Sequence, residues 1–452
     1  MSIDALIIGG GPAGIITALT AKSVYPEKKV CVVKEIGDGV IPCAIPYMIN
    51  TLSDPDQNKM GNLPLENAGI EIMVGKAVSM DTKARTVTLE SGDVLNYERV
   101  VLATGTDAIL PPIKGIDQEG VFAIRKSLSS MVDFRQAAKQ SKNIVIIGGG
   151  FIGAEFADEF TKDGDVQVHL IEMMPKLLYS AFDDEFCDKV EEQLISAGVK
   201  LHAGRKVVSI DGDGKVKSVA LDSGDVIPAD MVLVSTGARP NTELARQAGL
   251  QMLDNGAIWV DDYMRTEADG VFAVGDCALK RDFFTRKAAP VWLASTATAE
   301  ARIAGTNLFG IRILRQIQGT IAAFSTRVGK TAFASAGMTE RACEAESFRY
   351  VSASVTAPDR HPGTLPGSSP LTVKLIFADR SGILLGGQIS GGDSVGELIN
   401  VVAMGIQKRV TVREIDMMQI ATHPLLTPAP TVHPFINAAH LALAKMRAAF
   451  RK

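Results

Sequence analysis

The hydrophobic and polar positions of this chain fall twice into one rhythm. Ala5-Leu6-Ile7-Ile8 is an unbroken apolar run that stops at glycine, and Ile144-Val145-Ile146-Ile147 is a second. Short continuous apolar runs closed by glycine suit strands buried on both faces of a parallel sheet. After the first run, Pro12 to Ser23 has the pattern of a helix and Lys29 to Val33 that of a strand; after the second, a further strand is expected at Val168 to Glu172. Strand, turn, helix and strand together make a βαβ unit. More strands are expected at Ile70 to Val74 and at Thr86 to Glu90, followed by a turn at Ser91-Gly92-Asp93. Val100 to Leu102 and Val232 to Val234 read as buried strands that end in similar turns, Ala103-Thr104-Gly105 and Ser235-Thr236-Gly237. Val271 to Val274 ends in Gly275-Asp276, and Ser295 to Gly305 reads as an alanine-rich helix.

From about Gln318 the texture changes. Strands are expected at Leu371 to Phe377 and Ile383 to Gln388, and Pro358 to Pro370 is a loop rich in proline, glycine and serine. Apolar helices are expected over about Gly396 to Lys408 and Pro434 to Phe450. The fold class that follows is α/β, with two Rossmann-like domains, the form in which dinucleotide-binding domains are built, and a C-terminal α+β domain for which an interface role, dimerisation, is expected. The expected boundaries are 1–112 and 243–317 for a discontinuous first domain, 113–242 for the second and 318–452 for the third.

The 452 residues, 46% hydrophobic and 22% charged, leave room for large cores. A net charge of −4 argues against a nucleic-acid partner. No apolar stretch approaches the roughly 18 residues of a membrane span, and the N-terminus has no secretory pattern. Cys31, Cys43, Cys187, Cys277 and Cys343 include no C-x-x-C pair, so no metal is expected, and a reducing, cytoplasmic setting is.

The turns after the two apolar runs both read G-x-G-x-x-G: Gly9-Gly10-Gly11-Pro12-Ala13-Gly14 and Gly148-Gly149-Gly150-Phe151-Ile152-Gly153. The first glycine permits the turn, the second lets backbone approach a pyrophosphate, and the third packs helix on strand. Phosphate then meets free N–H groups at a helix N-terminus. Glu35 lies 26 residues after Gly9 and Glu172 lies 24 after Gly148, the spacing of a carboxylate that binds a ribose diol. Glu172 repels a 2′-phosphate, and Met173-Met174-Pro175 offers it no arginine, so NADH is expected over NADPH. Two such sites suggest hydride passing between two dinucleotides.

Cys43 follows Pro42, which suits a helix start, where a thiol is acidified. From spacing alone a buried inert cysteine fits equally well. His423-Pro424 lies in a proline-rich loop, where a solvated histidine is the commoner case. His169, His202, His361, His433 and His440 show only ordinary placement.

With these residues the chain resembles the FAD-dependent pyridine nucleotide–disulfide oxidoreductases over nearly its whole length. The resemblance implies FAD at the first turn, Glu35 and Gly275-Asp276, where the aspartate holds the ribityl chain, and NAD(P)H at the second turn and Glu172. It places Phe151 where relatives carry an aromatic gate over the flavin and Glu155 where they carry a glutamate near the nicotinamide. Pro42-Cys43-Ala44-Ile45-Pro46-Tyr47 is similar to the redox stretch of the single-cysteine branch, which contains coenzyme A disulfide and persulfide reductases, NADH oxidases and NADH peroxidases. Met48 stands where the two-cysteine branch has its second cysteine.

Three departures from these relatives stand out. The first turn lacks the histidine of the oxidases and peroxidases. Thr364-Leu365-Pro366-Gly367 stands in place of a Tyr-Tyr-Pro-Gly stretch, and no tyrosine follows Tyr350. His423-Pro424-Leu425-Leu426-Thr427 instead resembles the His-Pro-Thr motif of the two-cysteine branch, where the other subunit supplies the acid/base histidine. No rhodanese domain, appended in some persulfide reductases, is read in the chain. The resemblance implies a homodimer that reduces a small disulfide, persulfide or polysulfide, with coenzyme A-linked species among the candidates. Cys43 and His423 are then catalytic. The alternatives are an NADH oxidase or peroxidase, an electron-transfer reductase for a small redox protein, and a redox sensor.

Overall fold

The computed structural model describes residues 2–162, 164–315 and 319–449. The expected boundary at 317/318 and the end of the last helix at Phe450 lie outside the described residues. The chain forms two compact units: Met1–Pro111, Phe122–Gln140 and Thr236–Thr320 in one, and Pro112–Val121, Ser141–Ser235 and Ile321–Lys452 in the other.

The first unit is built on Ser2–Ile8, whose Ala5, Leu6 and Ile7 are fully buried. This strand lies between Val30–Lys34 and Val94–Leu102, parallel to both, with Ile7 opposite Val32 and Val101. Val271–Ala273 returns to the same sheet beside Val94–Leu102, setting Gly275-Asp276 at its end. Helices Pro12–Val24 and Ala294–Asn307 pack together on small residues. A Cβ at Gly305 would lie 2.8 Å from that of Thr20, so glycine sets their approach.

In the second unit Lys200–Ala203, Gln167–Glu172, Asn143–Ile147 and Met231–Val234 run parallel in that order. A separate antiparallel sheet follows the order Phe324–Val328, Thr331–Gly337, Leu384–Gly391, Pro370–Ala378, Tyr350–Pro358. Helices Val395–Gln407 and Pro434–Ala449 pack on it. Buried Lys374 links this sheet to helix Asp184–Ser196 and its entry, meeting Asp183 at 2.9 Å and Glu185 at 2.6 Å. The α/β class with two dinucleotide-type sheets and a C-terminal α+β portion is therefore the fold observed.

Many strands went unread in the sequence, among them Val207–Gly212, Phe324–Val328 and Tyr350–Pro358, and two cases in the first sheet show why. Ala77–Asp81 is mostly exposed, and the first part of Val94–Leu102 alternates. Neither offers the continuous apolar run that marks a doubly covered strand.

Candidate active site

The first glycine turn is dictated by its own backbone. Gly9 has φ +122°, and a Cβ there would sit 2.1 Å from the Ala103 carbonyl oxygen. A Cβ at Gly14 would lie 1.9 Å from the Gly9 oxygen. Gly11 differs: its φ of −80° suits any residue, and no described atom lies within 4 Å of its Cβ position. The protein's own packing does not require glycine there, and the position fits one kept clear for a ligand. Pro12 opens the helix, and among the described residues no side chain caps it, so its first N–H groups suit an anion. The FAD implied by the sequence passes this test.

Glu35 is exposed at the end of its strand, 3.4 Å from Lys76. Beneath the turn lies buried Lys34. A Cβ on Gly10 would come within 2.7 Å of the Lys34 stem, and the Lys34 Nζ donates to Asn62 Oδ1 at 2.7 Å. Ala103 closes over Gly9, and the Thr104 hydroxyl donates to the Asn241 carbonyl at 2.5 Å. Gly105 and Gly237 take φ of +69° and +109°, and the Gly237 carbonyl accepts Ile109 N–H at 3.0 Å.

Gly275, at φ +72°, donates its N–H to Glu300 at 3.0 Å. Glu300 pairs at 2.9 Å with Lys280, and both side chains are almost wholly buried. Burial pushes the Asp276 carboxyl up, against the pull of Lys280 and Lys126. Lys280 and Glu300 escaped the sequence reading. The available signal was a glutamate on the same helix face as Ala297, Ala301 and Ala304, where a charge needs a partner.

Cys43 is exposed, whereas Cys31, Cys187, Cys277 and Cys343 are buried. Burial leads in pushing Cys31, Cys187 and Cys343 to about 12, and it raises Cys277 as well. The expectation of an acidifying helix start needs correction. Pro42–Ala44 is a single 3-10 turn, followed by a second at Pro46–Met48. So few aligned peptides make little macrodipole. Met48 is fully buried.

In the second turn Gly148 has φ +109°, and a Cβ at Gly153 would lie 1.9 Å from the Gly148 oxygen. Gly150, at φ −75°, again has no described atom within 4 Å of its Cβ position. Glu172 is tied into the turn, accepting Gly149 N–H and Met174 N–H at 2.6 Å each. Its carbonyl accepts the N–H of exposed Arg205, a cation brought alongside from the neighbouring strand's end. The expected discrimination against a 2′-phosphate would therefore have to come from the Glu172 carboxylate alone, with a cation nearby.

Ile152 is exposed on the helix that follows the turn, and the Phe151 ring stacks on Phe324 with centroids 5.1 Å apart. Glu155 accepts the Thr326 hydroxyl at 2.7 Å. Burial, with Asp158 and Glu159 nearby, pushes it up to about 7 despite that bond.

His423 is exposed, and its Nδ1 accepts Leu425 N–H at 3.3 Å. Elsewhere His169 and His202 share a 3.0 Å ring-nitrogen contact, and burial lowers His169 to about 4. Among the described residues no cluster of three or more His, Cys, Asp or Glu suits a metal, and no helix is long and apolar enough to cross a membrane.

The family model described as pyridine nucleotide-disulphide oxidoreductase matches residues 3–301, and that family's dimerisation domain matches 323–433. An NADH oxidase of Methanocaldococcus jannaschii is 30% identical, over 98% of this chain and 99% of its own. A NAD(P)H coenzyme A polysulfide/persulfide reductase of Pyrococcus horikoshii is 30% identical over 95% of this chain and 96% of its own. The solved structure of a NAD-dependent persulfide reductase from A. fulgidus matches with TM-score 0.90 at 29% identity, covering 99% of this chain and 84% of that one.

Proposed function

The chain belongs to the pyridine nucleotide-disulphide oxidoreductase family, and from that premise we propose that it is an FAD-dependent NADH oxidoreductase reducing a small disulfide, persulfide or polysulfide at Cys43. The observation that carries this reading is the contrast among its thiols, with Cys43 exposed and four others buried. A coenzyme A-linked sulfur species is the candidate substrate, in keeping with the P. horikoshii relative's name. The setting is cytoplasmic.

In this reading residues 1–112 and 243–317 hold FAD, through Gly9, Gly11, Pro12, Ala13, Gly14, Glu35, Ala103, Thr104, Gly105, Gly275 and Asp276. Residues 113–242 hold NADH, through Gly148, Gly150, Phe151, Ile152, Gly153, Glu155, Glu172 and Gly237. Residues 318–452 pair two copies. FAD held by these residues would supply the electron pair that reopens a mixed disulfide at Cys43, drawn as hydride from NADH. The Cys43 thiolate attacks one sulfur of the substrate, the S–S bond breaks, and the second sulfur leaves as a thiolate or sulfide. His423 of the partner subunit, once protonated to the imidazolium, gives its Nε2 proton to that leaving sulfur and returns to the neutral ring.

Cys43→Ser tests the reading. NADH should still bleach the flavin, because the glycine turns are untouched. Turnover with disulfide or polysulfide should fall by orders of magnitude, since a serine hydroxyl forms no mixed disulfide. Normal sulfur turnover in this variant would sink the thiol mechanism. The M. jannaschii relative favours a second reading, an NADH oxidase in which Cys43 passes through sulfenic acid. Steady NADH consumption under nitrogen with polysulfide, and little under air alone, separates the two.

A further inference from the structure

The segment that carries His423 is exposed and closed on itself. The amides of Leu426 and Thr427 both donate to the His423 carbonyl at 3.0 Å. The Thr427 hydroxyl oxygen accepts the His423 backbone N–H at 3.0 Å, and Leu425 N–H donates to the ring Nδ1. A ring nitrogen that accepts a backbone N–H is the bare one, so neutral His423 carries its proton on Nε2. These bonds fix the ring within its own turn. They do not attach the turn to the rest of the unit.

His361 makes that attachment. Its backbone N–H donates to the Pro424 carbonyl at 3.1 Å. Its ring Nδ1 meets the Thr427 carbonyl at 2.9 Å. A carbonyl only accepts, so the hydrogen sits on the His361 Nδ1. The mount behind His361 is braced. Strands Tyr350–Pro358 and Pro370–Ala378 pair up to their last residues, with Pro358 opposite Pro370. Across the loop between them, Asp359 accepts the Ser369 N–H at 2.8 Å and the Ser369 hydroxyl at 2.7 Å. A braced hairpin thus holds the His423 turn through the backbone and ring of one residue.

We propose that His361 is the positioning residue for His423, a role that rests on the reading of His423 as the acid that protonates leaving sulfur. A proton donor works only within hydrogen-bond reach of its acceptor. Displacing a reacting group by about an ångström can cost about 100-fold in rate. His361 supplies the fixed point, and the bonds inside the turn carry it to the ring.

The test uses the full-length, FAD-loaded protein with NADH as donor and either oxidised coenzyme A or sodium polysulfide as acceptor. His361→Phe keeps the backbone N–H and removes the ring donor. Sulfur turnover should fall about 10- to 100-fold, while bleaching of the flavin by NADH is unchanged and amide hydrogen exchange over 423–427 speeds up. His361→Asn returns a donor to the Nδ1 position and should recover most of the loss, whereas His361→Gln, with its amide one bond farther out, should not. On a His423→Ala background, His361→Phe should cost nothing further.

If the two losses multiply, or if asparagine is no better than phenylalanine or glutamine, positioning is refuted and the acid role of His423 stands. If His423→Ala alone keeps wild-type sulfur turnover, the acid role falls and takes this proposal with it. Should the phenylalanine variant fail to fold, the asparagine and glutamine pair decides alone: equal activity overturns the proposal.

Discussion

Glu155 shows how one buried carboxyl can set a pH response. Burial is the leading cause of its rise from an ordinary 4.5 to about 7, and the Thr326 hydroxyl opposes it by stabilising the anion. A carboxyl raised in the folded state favours folding while protonated. Its contribution is therefore full below about 4.5 and is lost as pH climbs through about 7. Thermal unfolding followed from pH 4 to 8 should show this loss in wild type and not in Glu155→Gln. Thr326→Val removes the donor to the anion, so the inflection should move upward. A downward move would contradict the assignment of causes.

At the scale of elements, the two glycine turns contain glycines of two kinds. Gly14 is needed by the fold, since a Cβ would lie 1.9 Å from the Gly9 oxygen. Gly14→Ala should therefore lower stability by about 1–3 kcal/mol, read as a fall in melting temperature with or without flavin. Gly11 has an ordinary φ and open space. Gly11→Ala should keep the flavin-free protein within about 1 kcal/mol of wild type, yet purify with little FAD. A Gly11→Ala protein with full flavin content would remove the argument that this position is kept clear for a ligand. Both turns were legible in the sequence because their strands are covered on both faces and their glycines fall at fixed intervals. The Lys280–Glu300 pair was not, because two buried charges that neutralise each other follow no periodic pattern. His361 was passed over for a related reason. Its role depends on a meeting with Thr427, 66 residues away, and a local window holds no sign of it. The 3-10 turn at Cys43 also escaped, since proline before a helix and proline before a short turn look alike in sequence.

Across the whole molecule, the outer side of Val395–Gln407 is the place to expect a second copy. A groove of about 440 Å³ there is lined by residues that include Leu375, Val401, Met404, Met418 and Phe435. Val401 and Met404 are about half exposed, at 45% and 55%. Monomers rarely leave a large continuous apolar patch in water, and residues 323–433 match a dimerisation domain. Met404→Asp should sediment as a monomer. If His423 acts in trans, that monomer should lose sulfur turnover while NADH still bleaches its flavin. A fully active monomer would place the proton donor within one chain.

The uneven burial of the cysteines also makes the folded chain its own reporter. A thiol reagent in excess should find one reactive group in the native protein and five after urea. The four silent thiols divide evenly, Cys31 and Cys277 in one compact unit and Cys187 and Cys343 in the other. Each reacts only when its surroundings open, so its labelling rate measures that local opening. If the two pairs label at different rates, the units breathe independently. Equal rates for all four would mean that the chain opens as a single cooperative body.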